Sequence, residues 1–81
     1  MSAEREQMKV KLTNLRYREK ELTDKVGGLC GVIRHNLSAI LTPIADMNIP
    51  ETAGQMDDLV MAWGELQATL ADIARLEKEL S

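Results

Sequence analysis

Side chains able to move a proton, an electron pair or a charge are scarce in this sequence. His35 is the single histidine and Cys30 the single cysteine. A nucleophilic Cys–His pair needs thiol and imidazole within hydrogen-bond reach, with a third group orienting the base. Five residues apart on one helix, the two point in different directions. Cys30 therefore reads as a small buried hydrophobe, and one cysteine makes neither an internal disulfide nor a zinc set. Glu19 and Glu77 interrupt otherwise apolar stripes. Two carboxylates do acid–base or metal work only where they converge, and no Glu-x-x-His accompanies them. They read instead as edge residues reaching solvent, or as polar residues that fix register or partner. No phosphate-binding glycine loop, nucleophile elbow or metal-ligand spacing occurs. The expectation is no catalytic residue, no cofactor and no metal: not an enzyme.

The elements that would position these residues are helices. The chain has 81 residues, 44% of them hydrophobic and 2% aromatic, so it is one domain at most and too apolar for a disordered segment. Eleven leucines and eight alanines dominate the apolar set, and strand-like alternation is absent. No apolar run approaches a membrane span of ~20 residues, and Met1–Glu6 lacks the apolar core of a signal peptide. The expected setting is cytoplasmic, away from membranes.

Charge divides the chain. Residues 1–25 carry seven Lys/Arg against five Asp/Glu, whereas residues 51–81 carry two against seven. A basic front and an acidic back attract one another. Lys9, Lys11, Arg16, Arg18, Lys20 and Lys25 therefore read as a solvated helix face with an internal acidic partner rather than as a nucleic-acid site. Nucleic-acid binding through this basic first helix is the lesser alternative.

In the front segment Met8, Leu12, Leu15, Leu22, Val26, Leu29 and Ile33 keep a four-three spacing, with Glu19 in the vacant place. That is a heptad seam. In the back segment Met56, Leu59, Trp63, Leu66, Leu70, Ile73 and Leu80 keep a three-four spacing, with Glu77 in the vacant place. Thr52 and Gln55 have the spacing of a capping box. Pro43 and Pro50 break the helix between the segments. The spacing predicts a single hairpin domain over 1–81: helix about 3–41, turn about 42–52 with one short turn over 43–47, and helix about 53–80. With a turn centred near residue 48, about fourteen front residues would overhang. Gly27, Gly28 and Gly31 mark either a kink or a close helix approach. The apolar period running through them favours close packing, with Trp63 filling the gap.

The fold class expected is all-α: an antiparallel, coiled-coil-like helical hairpin. The two seams hold fourteen large apolar residues, and a lone hairpin leaves the flanks of both stripes wet. Leu37, Ile40, Leu41 and Ile44 near the turn add apolar surface, as do Val60 and Met61 off the seam. The simplest cover is a second copy, giving a homodimeric four-helix bundle with Trp63 as its largest anchor. Another helical protein is the other possible cover. The expected function is protein–protein interaction, as a structural or accessory module.

Two stretches resemble known families. His35-Asn36-Leu37-Ser38-Ala39-Ile40-Leu41-Thr42-Pro43-Ile44 resembles the histidine box of sensor-kinase dimerisation domains. Those are also dimeric helical hairpins, and the resemblance implies His35 as a phosphoryl acceptor. Asn36 stands where that family usually has an acidic residue. The order of a basic Leu-rich start (Leu12-Thr13-Asn14-Leu15-Arg16), a Pro-containing turn and a close through Ile73-Ala74-Arg75-Leu76-Glu77-Lys78-Glu79-Leu80 is similar to small helical proteins of Mu-like bacterial prophages. That likeness implies a phage-derived accessory protein and transfers no functional residue.

Overall fold

The computed structural model describes residues 2–81, with side chains from Ala3 onward. Helix α1 spans Ser2–Asn36, a 3-10 turn spans Ile44–Asp46, and helix α2 spans Ile49–Leu80. The two long helices pack antiparallel as a hairpin 64 Å long and about 16 Å across. There is no strand among the described residues.

Helix α1 ends at Asn36, five residues short of the 41 expected from its apolar pattern. Pro43 keeps Thr42 out of the helical region, and Asn36 and Ser38 favour turns over helix interiors. The stub left between them is too short to continue. The chain leaves through a last helical bond, Leu37 N–H to the Ile33 carbonyl (3.0 Å), and then tightens, Ser38 N–H donating to the His35 carbonyl (3.2 Å). The Ser38 carbonyl next accepts from both Leu41 and Thr42.

Helix α2 begins at Ile49, earlier than residue 53, and the cap is Asn48 rather than Thr52. Asn48 Oδ1 accepts from the Glu51 backbone N–H (3.1 Å), and Asn48 Nδ2 donates to Glu51 Oε2 (2.6 Å). Pro50 lies in the first turn, where a missing N–H leaves no helical bond unmade, so this proline starts a helix instead of preventing one. Thr52, freed from capping, is buried, and its hydroxyl donates to the Asn48 carbonyl (2.9 Å).

These shifts move the turn toward residue 43 and abolish the expected overhang. Arg5 reaches the other end of the chain, donating from Nη2 to the Leu80 carbonyl at 2.6 Å. Both ends of the hairpin therefore finish flush.

The inward residues of α1 are Met8, Leu12, Leu15, Glu19, Leu22, Val26, Leu29, Ile33 and Asn36, in four-three steps. On α2 the inward set is Thr52, Gln55, Leu59, Ala62, Leu66, Thr69, Ile73, Leu76 and Leu80. Leu59, Leu66, Ile73 and Leu80 thus face α1, while Met56, Trp63 and Leu70 do not: the alternate positions on α2 are one residue earlier, at Gln55, Ala62, Thr69 and Leu76. This corrects the register of the back seam. The back stripe is three positions wide, and the pattern of large residues alone picked its outer edge. Small residues on the inner edge let the helices approach. The buried Thr69 is accommodated because its hydroxyl donates to the Glu65 carbonyl (2.8 Å).

The interior is thin. Its buried apolar residues are Leu22, Ile33, Ala62, Ile73 and Leu76. Gly27, Gly28 and Gly31 neither end α1 nor admit a neighbour: the helix runs through them, they are exposed, and open space lies beside each. The close packing against Trp63 is absent, because none of the three lies on the inward stripe.

Two outcomes follow. Leu22→Ala, at the most buried side chain, lowers unfolding free energy by ~2–5 kcal/mol in urea denaturation. Gly28→Ala, where a methyl group meets nothing, raises it by ~1 kcal/mol.

Candidate interaction surface

Two ion pairs define the flanks of the seam. Arg18 Nη2 lies 2.6 Å from Glu65 Oε2 on one side, and Arg16 Nη2 lies 3.3 Å from Glu77 Oε1 on the other. Stepping by sevens from Arg18 and Glu65 stays on the first flank. It reaches Lys11 and Lys25 on α1 and Asp58, Asp72 and Glu79 on α2. Between Lys11 and Lys25 the signs are opposite on the two helices, while the ends of the α1 row carry Glu4 and Val32. This charged flank is where the basic front meets the acidic back. Both bonded pairs are about half exposed, so each is worth only ~0.2–1 kcal/mol. Their service is alignment of the two helices.

The second flank changes character along its length. Stepping from Arg16 and Glu77 toward the turn gives Thr23 and Leu70, then Cys30 and Trp63, then Leu37 and Met56. Charge disappears after the first pair. Here lies a groove lined by Val26, Cys30, Met56, Leu59, Val60 and Trp63, with no polar surface in its lining. Trp63 is 54% exposed and Met56 48%. Cys30 is exposed as well, which corrects its reading as a buried hydrophobe. Its position one step off the inward stripe puts it on the rim of the seam. Beyond the groove the turn carries more apolar surface, with Ile40 at 96% exposure and Ile44 at 77%.

The turn end of the seam is polar inside. Asn36 Nδ2 donates to Gln55 Oε1 at 2.7 Å, a part-buried amide pair joining α1 and α2. The apolar pattern places neither in the seam, and Gln55 joins α1 instead of completing a capping box with Thr52. Yet each continues its helix's spacing, three beyond Ile33 and four before Leu59, and that was the available signal. A polar pair in an otherwise apolar seam pins one register, since a slip leaves both amides unpaired.

The remaining candidates stand apart. His35 is exposed in the last turn of α1, and the neighbouring Asn36 is committed to Gln55. Glu19 faces inward and half-buried, whereas Glu77 is exposed and held by Arg16. Among the described residues no group of three or more His, Cys, Asp or Glu is placed to hold a metal ion. None of the described helices is long and apolar enough to cross a membrane. Comparison with protein-family models, with curated proteins and with solved structures gave no match.

The arrangement gathers exposed apolar side chains on this flank. The amide pair gives its own outcome: Asn36→Ala strands the Gln55 carbonyl and costs ~0.5–1.5 kcal/mol by denaturation. The same loss from Gln55→Ala, with no further loss in the double variant, would mark the two as one interaction in a double-mutant cycle.

Proposed function

We propose that this chain is a non-enzymatic interaction module that pairs with a second copy of itself, forming a four-helix bundle. One observation carries the reading: the wholly apolar groove on a single flank, with Trp63 half in solvent beside Val26, Cys30, Met56 and Val60. A helix that meets one partner needs two apolar positions per heptad. A helix in a bundle needs a third on one side. Helix α2 has that third row in Met56, Trp63 and Leu70, on the flank where ion pairing gives out.

The thin interior supports the same reading. Among the described residues five apolar side chains are buried in the single hairpin, and association would cover the partly exposed remainder. Likeness to helical proteins of Mu-like prophages fits an accessory role for such a dimer.

Light scattering coupled to size exclusion tests the proposal directly. The expected mass is that of two 9.0-kDa chains, persisting to low micromolar concentration. Trp63→Glu, at the centre of the groove, weakens the dimer at least ~30-fold, as loss of a ~2 kcal/mol hot spot requires. Tyr17→Glu, on the far exposed side of α1, leaves the mass unchanged. A wild-type mass of one chain at 100-micromolar concentration, on the order of a weak encounter, would refute self-association.

A further inference from the structure

We infer that the two copies dock turn to turn, with a two-fold axis parallel to the helices and α1 of each copy lying against α2 of the other. The inference rests on the self-association proposed above and adds its geometry. Three observations carry it.

The first is where the apolar surface lies. On the open flank the levels of Thr23/Leu70, Cys30/Trp63 and Leu37/Met56 are free of charge, and the level of Arg16/Glu77 is not. The apolar half continues into the turn through Ile40 and Ile44. Turn-to-turn docking matches apolar half with apolar half. A reversed second copy, overlapping fully, would lay Met56 and Leu37 against the charged open end, where Lys9 and Glu6 pair.

The second is area. The long side of the hairpin measures 64 × 16 Å, about 1,000 Å² in projection, and a stable interface takes ~800 Å² from each partner. A reversed copy that slid until only the apolar halves met would cover about half of that side. Full overlap with matched halves covers all of it, and that is the turn-to-turn arrangement.

The third is charge. A two-fold axis along the helices sets α1 beside the other copy's α2. A perpendicular axis sets α1 beside α1 and α2 beside α2. Residues 1–25 carry two more basic than acidic groups, and residues 51–81 carry five more acidic than basic. On the docking flank those charges lie at the open end, and there the parallel axis brings Arg16 of one copy to the level of Glu77 of the other, repeating between copies the pairing already present within one. The perpendicular axis makes no such pairing.

The test places one spin label at the exposed turn residue, in a Cys30→Ala, Ala39→Cys chain, and measures the label-to-label distance between copies by pulsed electron paramagnetic resonance. Turn-to-turn docking gives a distance below ~25 Å, set by interaxial spacings of ~8–10 Å plus the label arms. A reversed dimer gives a longer distance, roughly 30 Å where only the apolar halves overlap and roughly 60 Å at full overlap, from ~1.5 Å of rise per residue along the helix. The mass of the same sample separates the two proposals. A dimer with the long distance overturns the orientation and leaves self-association standing. A single-chain mass for wild type overturns self-association. Should Cys30→Ala itself weaken the dimer, isotope-filtered NMR on mixed labelled and unlabelled wild-type chains reads the same question. Trp63 indole contacts to α1 of the other copy support the inference, and contacts to α2 alone overturn it.

Discussion

Side chains on a helix that packs against a single neighbour can be surrounded on one side only, and the organisation of this chain depends on that constraint. Two helices meet along a narrow seam, one or two residues wide. With Leu22 and Ile33 from α1 and Ala62, Ile73 and Leu76 from α2, the seam is nearly exhausted. The other inward apolar residues, among them Leu12, Leu15, Leu29, Leu59 and Leu66, are only partly covered. The two flanks then diverge. One is occupied by Lys11, Arg18 and Lys25 opposite Asp58, Glu65 and Asp72, groups that water solvates well whether or not they pair. The other offers water a tryptophan, a methionine, two leucines and a thiol, at Trp63, Met56, Leu37, Leu70 and Cys30, and gains from being covered.

Polar groups inside the seam are placed so that burial leaves none of them unpaired. Thr52 and Thr69 turn their hydroxyls onto carbonyls of their own helix, and the Asn36 and Gln55 amides meet one another. No buried side-chain nitrogen or oxygen among the described residues lacks a hydrogen-bond partner. The threonines permit close approach without carrying information about the other helix. The amide pair does carry it, because it spans the two. Arg5 at Leu80 marks the same register at the opposite end, some thirty residues along α1.

Much of this was legible in the order of residues. The seam of α1, from Met8 to Ile33, could be read directly, because a strict four-three spacing with charge on the other faces admits one inward stripe. The hairpin and the short turn near 43–47 followed from the prolines. Helix α2 was harder. Its apolar band is three positions wide, and nothing local says which two of the three face α1. Size suggested Trp63 and Leu70, whereas close approach selects Ala62 and Thr69. The boundaries failed for a related reason. Pro43 and Pro50 look alike in sequence, yet one ends helical conformation ahead of it and the other sits harmlessly in a first turn, a difference decided by Asn48 and Glu51. The flank that defines the candidate surface needed the corrected register before it could be seen at all, since Trp63 had been assigned to the interior.

The flush closure of the hairpin has a mechanical consequence. Because Arg5 and Leu80 meet at one end, the start of α1 and the end of α2 lie at the same pole of a molecule 64 Å long, and the apolar turn lies at the other. The hairpin is a polarised rod. Anything joined to either terminus would ride at the charged pole, its leverage on the far tip transmitted through two helices braced along their whole length.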